Sequence, residues 1–262
     1  MLIQKNISLA KYTTFKIGGL AKFFCEVKTK QELKNLIKKY PKYYVLGNGS
    51  NLLVSDKGYD GLIIKIQNTK YKILNTKIHA GAGVSLAQLV REAEKNNLTG
   101  LEWAVSIPGT VGGATAVHTS AFGSCMNDII EKIEKINNII WSVVLKLKKE
   151  NQNKIKNKIK ECLDYRKKTQ PIGYACAGCI FKNPAGDSAG RLIDQAGLKG
   201  AIRGGAQISK KHANFILNIK DAQAKDVIAL IKLARKAVKK KFNVDLDLEI
   251  NLLGFNSLDI SA

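Results

Sequence analysis

Tyr43-Tyr44-Val45-Leu46-Gly47-Asn48-Gly49-Ser50-Asn51-Leu52-Leu53-Val54 reads as an apolar strand, a glycine-rich turn and a second strand. The glycines let the backbone come close to a ligand, and consecutive N–H groups in such a turn form an anion nest, to which Ser50 and Asn51 add side-chain donors. An ordinary tight turn has the same composition. A dinucleotide-binding fingerprint is excluded, because no helix follows the turn and the third glycine is missing. Gly81-Ala82-Gly83 does precede a helix, but Leu86 occupies the third-glycine position, which makes it a strand-to-helix turn. Residues 43–54 thus carry no dinucleotide fingerprint, and the mixture of elements along the chain is α+β, not a regular βαβ alternation.

The rest of the chain agrees. Ala21 to Val27 reads as a strand, and Thr29-Lys30-Gln31-Glu32 as a capping box opening a helix to about Lys39. A strand runs from Leu62 to Ile66, and another ends near His79. Ser85-Leu86-Ala87-Gln88 opens a helix with Leu86, Leu89, Val90 and Ala93 on one face. Ile133–Ile136 and Ile139–Leu147 read as strands joined at Asn137-Asn138, which tolerate positive φ. Asn151 to about Lys168 reads as a lysine-rich amphipathic helix, and Asp187-Ser188 cap a helix ending at Gln195. Ala213–Ile219 reads as a strand. Asp221 is expected to cap a helix from Ala222 to about Lys241 whose core stripe is Val227, Leu230, Ile231, Ala234 and Val238. Leu246–Leu253 is the last strand, with Glu249 and Asn251 on one face. The change of charge and periodicity near Lys149 suggests domains at 1–149 and 150–262.

Composition narrows the function. The 262 residues are 45% apolar and 24% charged, which excludes collagen, coiled coil and wholesale disorder. Five cysteines do not make a disulfide scaffold and fit a reducing compartment. The net charge of +22 raises nucleic acid as a partner. However, only Arg91, Arg166, Arg191, Arg203 and Arg235 among the 43 basic residues are arginines, and the lysines lie along the whole chain. That pattern describes solvated faces better than a nucleic-acid footprint. Met1 to Lys5 shows no signal peptide. Trp103 to Asn127 is uncharged, but Pro108, its glycines and its hydroxyls argue for a buried loop over a membrane span. The expected setting is the cytoplasm, without membrane.

Within that stretch, Pro108, Gly109, Thr110, Gly112 and Gly113 suit a pyrophosphate held by backbone N–H groups; a packed loop is the alternative. Cys176-Ala177-Gly178-Cys179 has redox or half-zinc spacing, but no helix follows and no second pair exists, so no metal is expected. A single reactive thiol at Cys179 stays open. His118 and His212 read as structural histidines.

Taken together, certain stretches resemble the UDP-N-acetylenolpyruvoylglucosamine reductase (UDP-N-acetylmuramate dehydrogenase) family. They are Tyr12 to Gly19, Gly47 to Val54, Ile107 to Ala114 with Ala121-Phe122-Gly123, Gly178 to Pro184, Asp187 to Leu192, Lys211 to Phe215 and Leu248 to Gly254, in the family's order. The resemblance implies a two-part FAD-binding domain of the vanillyl-alcohol-oxidase (PCMH) type, with lobes split near residue 55, and then a smaller α+β substrate-binding domain. It implies the compact form, a monomer, FAD and NADPH as cofactors, and a nucleotide-sugar substrate. Gly47, Asn48, Gly49, Ser50 and Asn51, with Pro108, Gly109, Thr110, Gly112 and Gly113, would hold the FAD pyrophosphate and neighbouring groups. Lys182 and Asn183 would face the substrate, Asn183 at the UDP diphosphate. NADPH reduces FAD, and the flavin passes hydride to the enolpyruvyl β-carbon. Cys179 would then give a proton to the α-carbon, and Glu249 would help stabilise the enol. A thiol suits that role, since its pKa is nearer neutrality than a hydroxyl's.

Two departures stand out. Val117-His118-Thr119-Ser120 replaces the family's Met-Asn-Ala-Gly, and Ile136-Asn137-Asn138-Ile139 runs across the place of a Tyr-Arg-x-Ser segment whose Arg polarises the substrate carboxylate. Tyr165-Arg166 aligns with a later helix end and does not inherit that role. The alternative is a flavin-binding relic of the family with weak or no reductase activity.

Overall fold

The computed structural model describes residues 1–256 and 259. The chain divides into two compact units: residues 1–4, 23–48 and 61–168 form the first, and residues 5–22, 49–60 and 169–262 the second. The break thus falls after Lys168, and the lysine-rich helix Gln152–Thr169 lies almost wholly in the first unit. Ile155 is fully buried there and Ile159 packs on a core of that unit, which is why the helix is not part of the later domain that the charge pattern suggested.

The first unit has two apolar cores. In one, helix Lys30–Lys39 sets Leu33 and Leu36 against Cys25, Val27, Leu62, Ile64 and Trp141. Its start is the expected capping box: Thr29 Oγ1 accepts from the Glu32 N–H, and the Glu32 carboxylate accepts from the Thr29 N–H. The other core lies under an antiparallel sheet of strands Ile130–Ile136, Ile139–Lys146, Lys77–Gly81 and Tyr71–Leu74, in that order. Helix Leu86–Lys95 packs Leu86, Leu89, Val90 and Ala93 into it, and the Ser85 hydroxyl caps the Gln88 N–H. The hairpin predicted at Asn137-Asn138 is present: Ile136 pairs with Ile139, and Asn137 takes φ +52°. The chain crosses from one strand to the other in two residues, so the Tyr-Arg-x-Ser segment has no place there.

The uncharged stretch 103–127 is not all loop. It contains a short helix, Val111–Ala116, capped by Thr110, whose Oγ1 accepts from the Gly113 N–H. Two glycines of low helix propensity obscured it in the sequence.

In the second unit, the 19-residue helix Ala224–Phe242 buries Val227, Leu230, Ile231, Ala234 and Val238, as its periodicity predicts. It shares a core with helix Ala189–Gln195 and with the three-stranded antiparallel sheet Ile202–Arg203, Ala206–Ile208, Ile216–Asn218. Asp221 does not cap the long helix; it sits at φ +45° in the preceding turn. The N-cap is Gln223, whose N–H donates to the Asp226 carboxylate (3.0 Å), and Asp56 adds a second carboxylate, which accepts from the N–H groups of Ala224 (2.7 Å) and Lys225 (3.1 Å), where a negative charge also complements the helix dipole. The strand expected over 246–253 is regular only over Asn251–Leu253, which pairs in parallel with Leu52–Val54.

Candidate active site

Gly47 follows strand Tyr43–Leu46, and in the first unit it faces the start of helix Val111–Ala116. A Cβ placed on Gly47 would lie 2.9 Å from Thr110 Oγ1 and 3.7 Å from the Gly113 Cα. The two glycine-rich stretches thus meet. Beside them opens a cavity of about 150 Å³, lined among others by Gly47, Thr110, Gly112, Gly113, Asn138 and Ile140.

The stretches differ in what they offer. At 108–113 the backbone is already engaged: the N–H of Gly109 goes to Ile107 O, Val111 to Val84 O, Gly112 to Ala82 O and Gly113 to Thr110 Oγ1. Those four groups are not the bare anion cradle expected from the sequence. The glycines serve close packing instead, since a Cβ on Gly112 would stand 2.6 Å from the Ala82 Cβ. In the loop 47–50, by contrast, no described residue accepts from the N–H groups of Gly47, Asn48, Gly49 or Ser50. Gly49 needs its glycine twice over, with φ +60° and a Cβ that would meet Tyr12 O at 2.3 Å.

Cys179, Lys182, Asn183 and Glu249 all belong to the second unit. The segment holding the first three is fixed along both edges. On one edge the Ile180 N–H donates to Asn214 O (2.8 Å), and the Asn214 side chain grips Phe181 at two points, Oδ1 from its N–H (2.9 Å) and Nδ2 to its carbonyl (2.8 Å). On the other edge the Lys182 N–H donates to Asp247 O and the Glu249 N–H to Ile180 O (2.9 Å). Glu249 is therefore bonded through its backbone to the residue after Cys179. Cys179 itself is half-buried and bridges to Phe215, just after Gly178 at φ +77°.

Lys182 and Glu249 leave adjacent, antiparallel backbones and are both exposed. Crowding around the Glu249 carboxyl nevertheless pushes its pKa up, and the Lys182 charge pulls it partly back. Asn183 Oδ1 accepts from the Ala189 N–H at 3.1 Å, so its remaining capacity is the pair of Nδ2 donors. The CxxC spacing gives no redox pair. None of the five cysteines is in a disulfide, and burial raises the Cys176 thiol, which disfavours its thiolate. His212 is structural: it stacks edge-on with Phe215 at 4.9 Å, and burial lowers its pKa. His118 pairs its Nδ1 with Asn127 Oδ1 at 2.9 Å, on an exposed turn at φ +50°.

Asn214 was only part of a recognised stretch in the sequence, and no periodicity marks its role. Replacing it with Ala strands two buried backbone groups of Phe181, at about 1–3 kcal/mol each. We expect Asn214→Ala to lower the thermal midpoint by several degrees, read by circular dichroism. Glu249→Gln should act in the opposite sense. A carboxyl whose folded pKa is raised stabilises the fold fully below its unfolded pKa and loses that contribution as pH rises through the folded one. Thermal scans should show Glu249→Gln more stable than the parent at pH 8, with the gain vanishing in acid.

Comparison with known proteins covers the chain. Residues 21–138 match the family model described as FAD binding domain, and residues 170–253 the one described as UDP-N-acetylenolpyruvoylglucosamine reductase, C-terminal domain. The UDP-N-acetylenolpyruvoylglucosamine reductases of Caldanaerobacter subterraneus and Bacillus subtilis are 40% and 37% identical to it, over 95% and 97% of this chain and 93% and 95% of theirs. The alignment with the Bacillus protein runs over 287 positions, more than the 262 residues here, so that relative carries residues without a counterpart in this chain. The crystal structure of the UDP-N-acetylenolpyruvylglucosamine reductase from Thermus caldophilus superposes with a TM-score of 0.86 at 36% identity, covering 96% of this chain and all of that one.

Proposed function

The chain belongs to the UDP-N-acetylenolpyruvoylglucosamine reductase family, and from that premise we propose how its residues divide the NADPH-driven reduction of the enolpyruvyl nucleotide sugar to UDP-N-acetylmuramate, a peptidoglycan precursor. It is an FAD-dependent oxidoreductase. The residues present suit the cofactor: Gly47 lines a cavity of about 150 Å³, and among the described residues nothing accepts from the N–H groups of Gly47 and Asn48 in the same unit. The N–H groups of Gly47, Asn48, Gly49 and Ser50 would hold the pyrophosphate. Thr110, Gly112 and Gly113 line the cavity and would give it contour rather than donors, with Pro108 and Gly109 leading the chain into them. When bound, FAD supplies to the enolpyruvyl β-carbon the hydride it has taken from NADPH.

The chain's own groups do the rest. Cys179 holds the proton that the α-carbon needs, and its S–H bond breaks as the new C–H bond forms. Glu249 lies beside the developing enol. Its raised pKa keeps part of its population protonated at a pH where an ordinary carboxyl is ionised, which lets it donate a hydrogen bond to enol oxygen. Lys182 meets anionic charge on the substrate, and the Nδ2 donors of Asn183 meet the diphosphate. The observation that carries this reading is the backbone bond between Glu249 and Ile180, which ties the carboxyl's segment to the thiol's.

The two-residue turn at Asn137-Asn138 omits the family's guanidinium. Loss of one preorganised charge stabiliser costs about 10²–10³ in rate, so the reaction is expected to be slow rather than absent. We place the protein in the cytoplasm as a monomer; five cysteines without a disulfide suit a reducing compartment. Among the described residues, no helix is long and apolar enough to cross a membrane.

The test is anaerobic. NADPH should bleach the bound flavin, and UDP-N-acetylglucosamine enolpyruvate should restore its yellow absorbance. A flavin that NADPH reduces and that the enolpyruvyl nucleotide leaves reduced would sink the reductase reading and leave the relic.

A further inference from the structure

We propose that Asn51 is a positioning residue for Glu249, a role distinct from the flavin contact that its place in the glycine loop suggests. The proposal rests on the reading of Glu249 as the carboxyl beside the reacting carbons. Asn51 ends the loop 47–51 and opens the strand Leu52–Val54. Its Nδ2 donates to the Glu249 carbonyl at 3.0 Å. Its own carbonyl accepts from the Asn251 N–H at 3.0 Å and from Asn251 Nδ2 at 3.4 Å. Asn51 thus holds the residues at 249 and 251, on either side of Ile250, whose side chain is buried.

The Glu249 peptide is consequently fastened at both ends. Its N–H is bonded to Ile180, in the segment that carries Cys179, and its C=O to Asn51, in the loop that carries the glycines. All these residues lie in the second unit. The orientation of the Asn51 amide is not arbitrary. A backbone carbonyl only accepts, so the nitrogen must face it, and turning the amide over would set two oxygens against each other. A side chain committed in this way is not free to donate the same hydrogen to a phosphate. A bland reading remains: Asn51 simply seals the end of the parallel strand pair. Stability measurements cannot separate the two roles, but the chemistry of Glu249 can. A displacement of about 1 Å in a catalytic group costs on the order of 10²-fold in rate.

The experiment uses the flavin-loaded enzyme and two variants, Asn51→Ala and Asn51→Asp. Asp has the size of Asn, so it keeps the packing and carries the test if the Ala variant fails to fold. Flavin content, reduction by NADPH and anaerobic reoxidation by UDP-N-acetylglucosamine enolpyruvate are followed separately, the last across pH. Expected is retained flavin and unchanged reduction by NADPH, with reoxidation about 10²-fold slower in both variants. In Asn51→Asp the pH profile of reoxidation should also move upward, because a new carboxylate opposes ionisation of Glu249. Reoxidation at the parent rate with the parent pH profile overturns the proposal. So does a loss of flavin affinity in proportion to the loss of rate, which would assign Asn51 to the cofactor. Failure of the parent enzyme to be reoxidised overturns the functional reading instead, and the two failures are told apart by the parent trace alone.

Discussion

Replacing Cys179 with alanine should slow reoxidation of the reduced flavin by UDP-N-acetylglucosamine enolpyruvate by about 10²–10⁴-fold, the usual contribution of a positioned general acid. Bleaching by NADPH should stay at the parent rate. The asymmetry follows from where a proton is needed. Hydride transfer from NADPH uses no acid on the substrate carbon, whereas the reduced enolpyruvyl group is complete only when its α-carbon gains a proton. The backbone around Cys179 is fixed independently of its sulfur, by the hydrogen bonds of Ile180 and Phe181 to Asn214 and by the bridge to Phe215. Removing the thiol should therefore leave the segment in place. Cys179→Ser restores a donor at the same position and should recover part of the rate. Stopped-flow absorbance resolves the two halves, and an equal loss in both would show that residue 179 shapes the site without donating the proton.

Local features of the fold were legible in the sequence where local chemistry decides them. The capping box at Thr29, the left-handed turn at Asn137 and the apolar stripe from Val227 to Val238 each depend on residues a few positions apart. Where the sequence misleads, part of the reason is a partner distant in the chain. Asp221 looked like the cap of the long helix, yet Asp56 reaches its first N–H groups from across the unit. The stretch 106–114 reads as bare backbone awaiting an anion, but Ala82 and Val84 take up the N–H groups of Gly112 and Val111, and those of Gly109 and Gly113 bond within the stretch. No periodicity announces that Asn214 grips both polar groups of Phe181, or that Asn51 holds the carbonyl of Glu249. The residues proposed for the chemistry came from the family's motifs rather than from spacing. Seventy positions separate Cys179 from Glu249, and only the folded ladder explains why a thiol and a carboxyl so far apart in the chain belong to one segment pair.

Gly47→Val should give a protein that folds and purifies with little or no flavin. The argument turns on which wall can move. Thr110 Oγ1, 2.9 Å from the new Cβ, is not a flexible side-chain end, because it caps the Gly113 N–H at 3.2 Å. Behind it Gly112 is pinned to Ala82 both by its N–H bond and by close packing. The new Cβ therefore strains the contact with Thr110, and the valine side chain takes space at the wall of the cavity of about 150 Å³ that Gly47 lines. Overpacking of a tight site costs about 1–3 kcal/mol, which at 1.4 kcal/mol per factor of ten weakens FAD about 5- to 140-fold. Gly47 is not among the glycines at positive φ, so a β-branched residue meets no left-handed strain there. The loss can thus be assigned to volume, unlike a change at Gly49, where backbone conformation and the Tyr12 carbonyl both object. Titration of apoprotein with FAD, followed by flavin fluorescence, gives the affinity, and a thermal scan of the apo forms separates a blocked cavity from a damaged fold. If the valine variant melts with the parent apoprotein and still binds FAD with parent affinity, the space beside Gly47 is not the cofactor's.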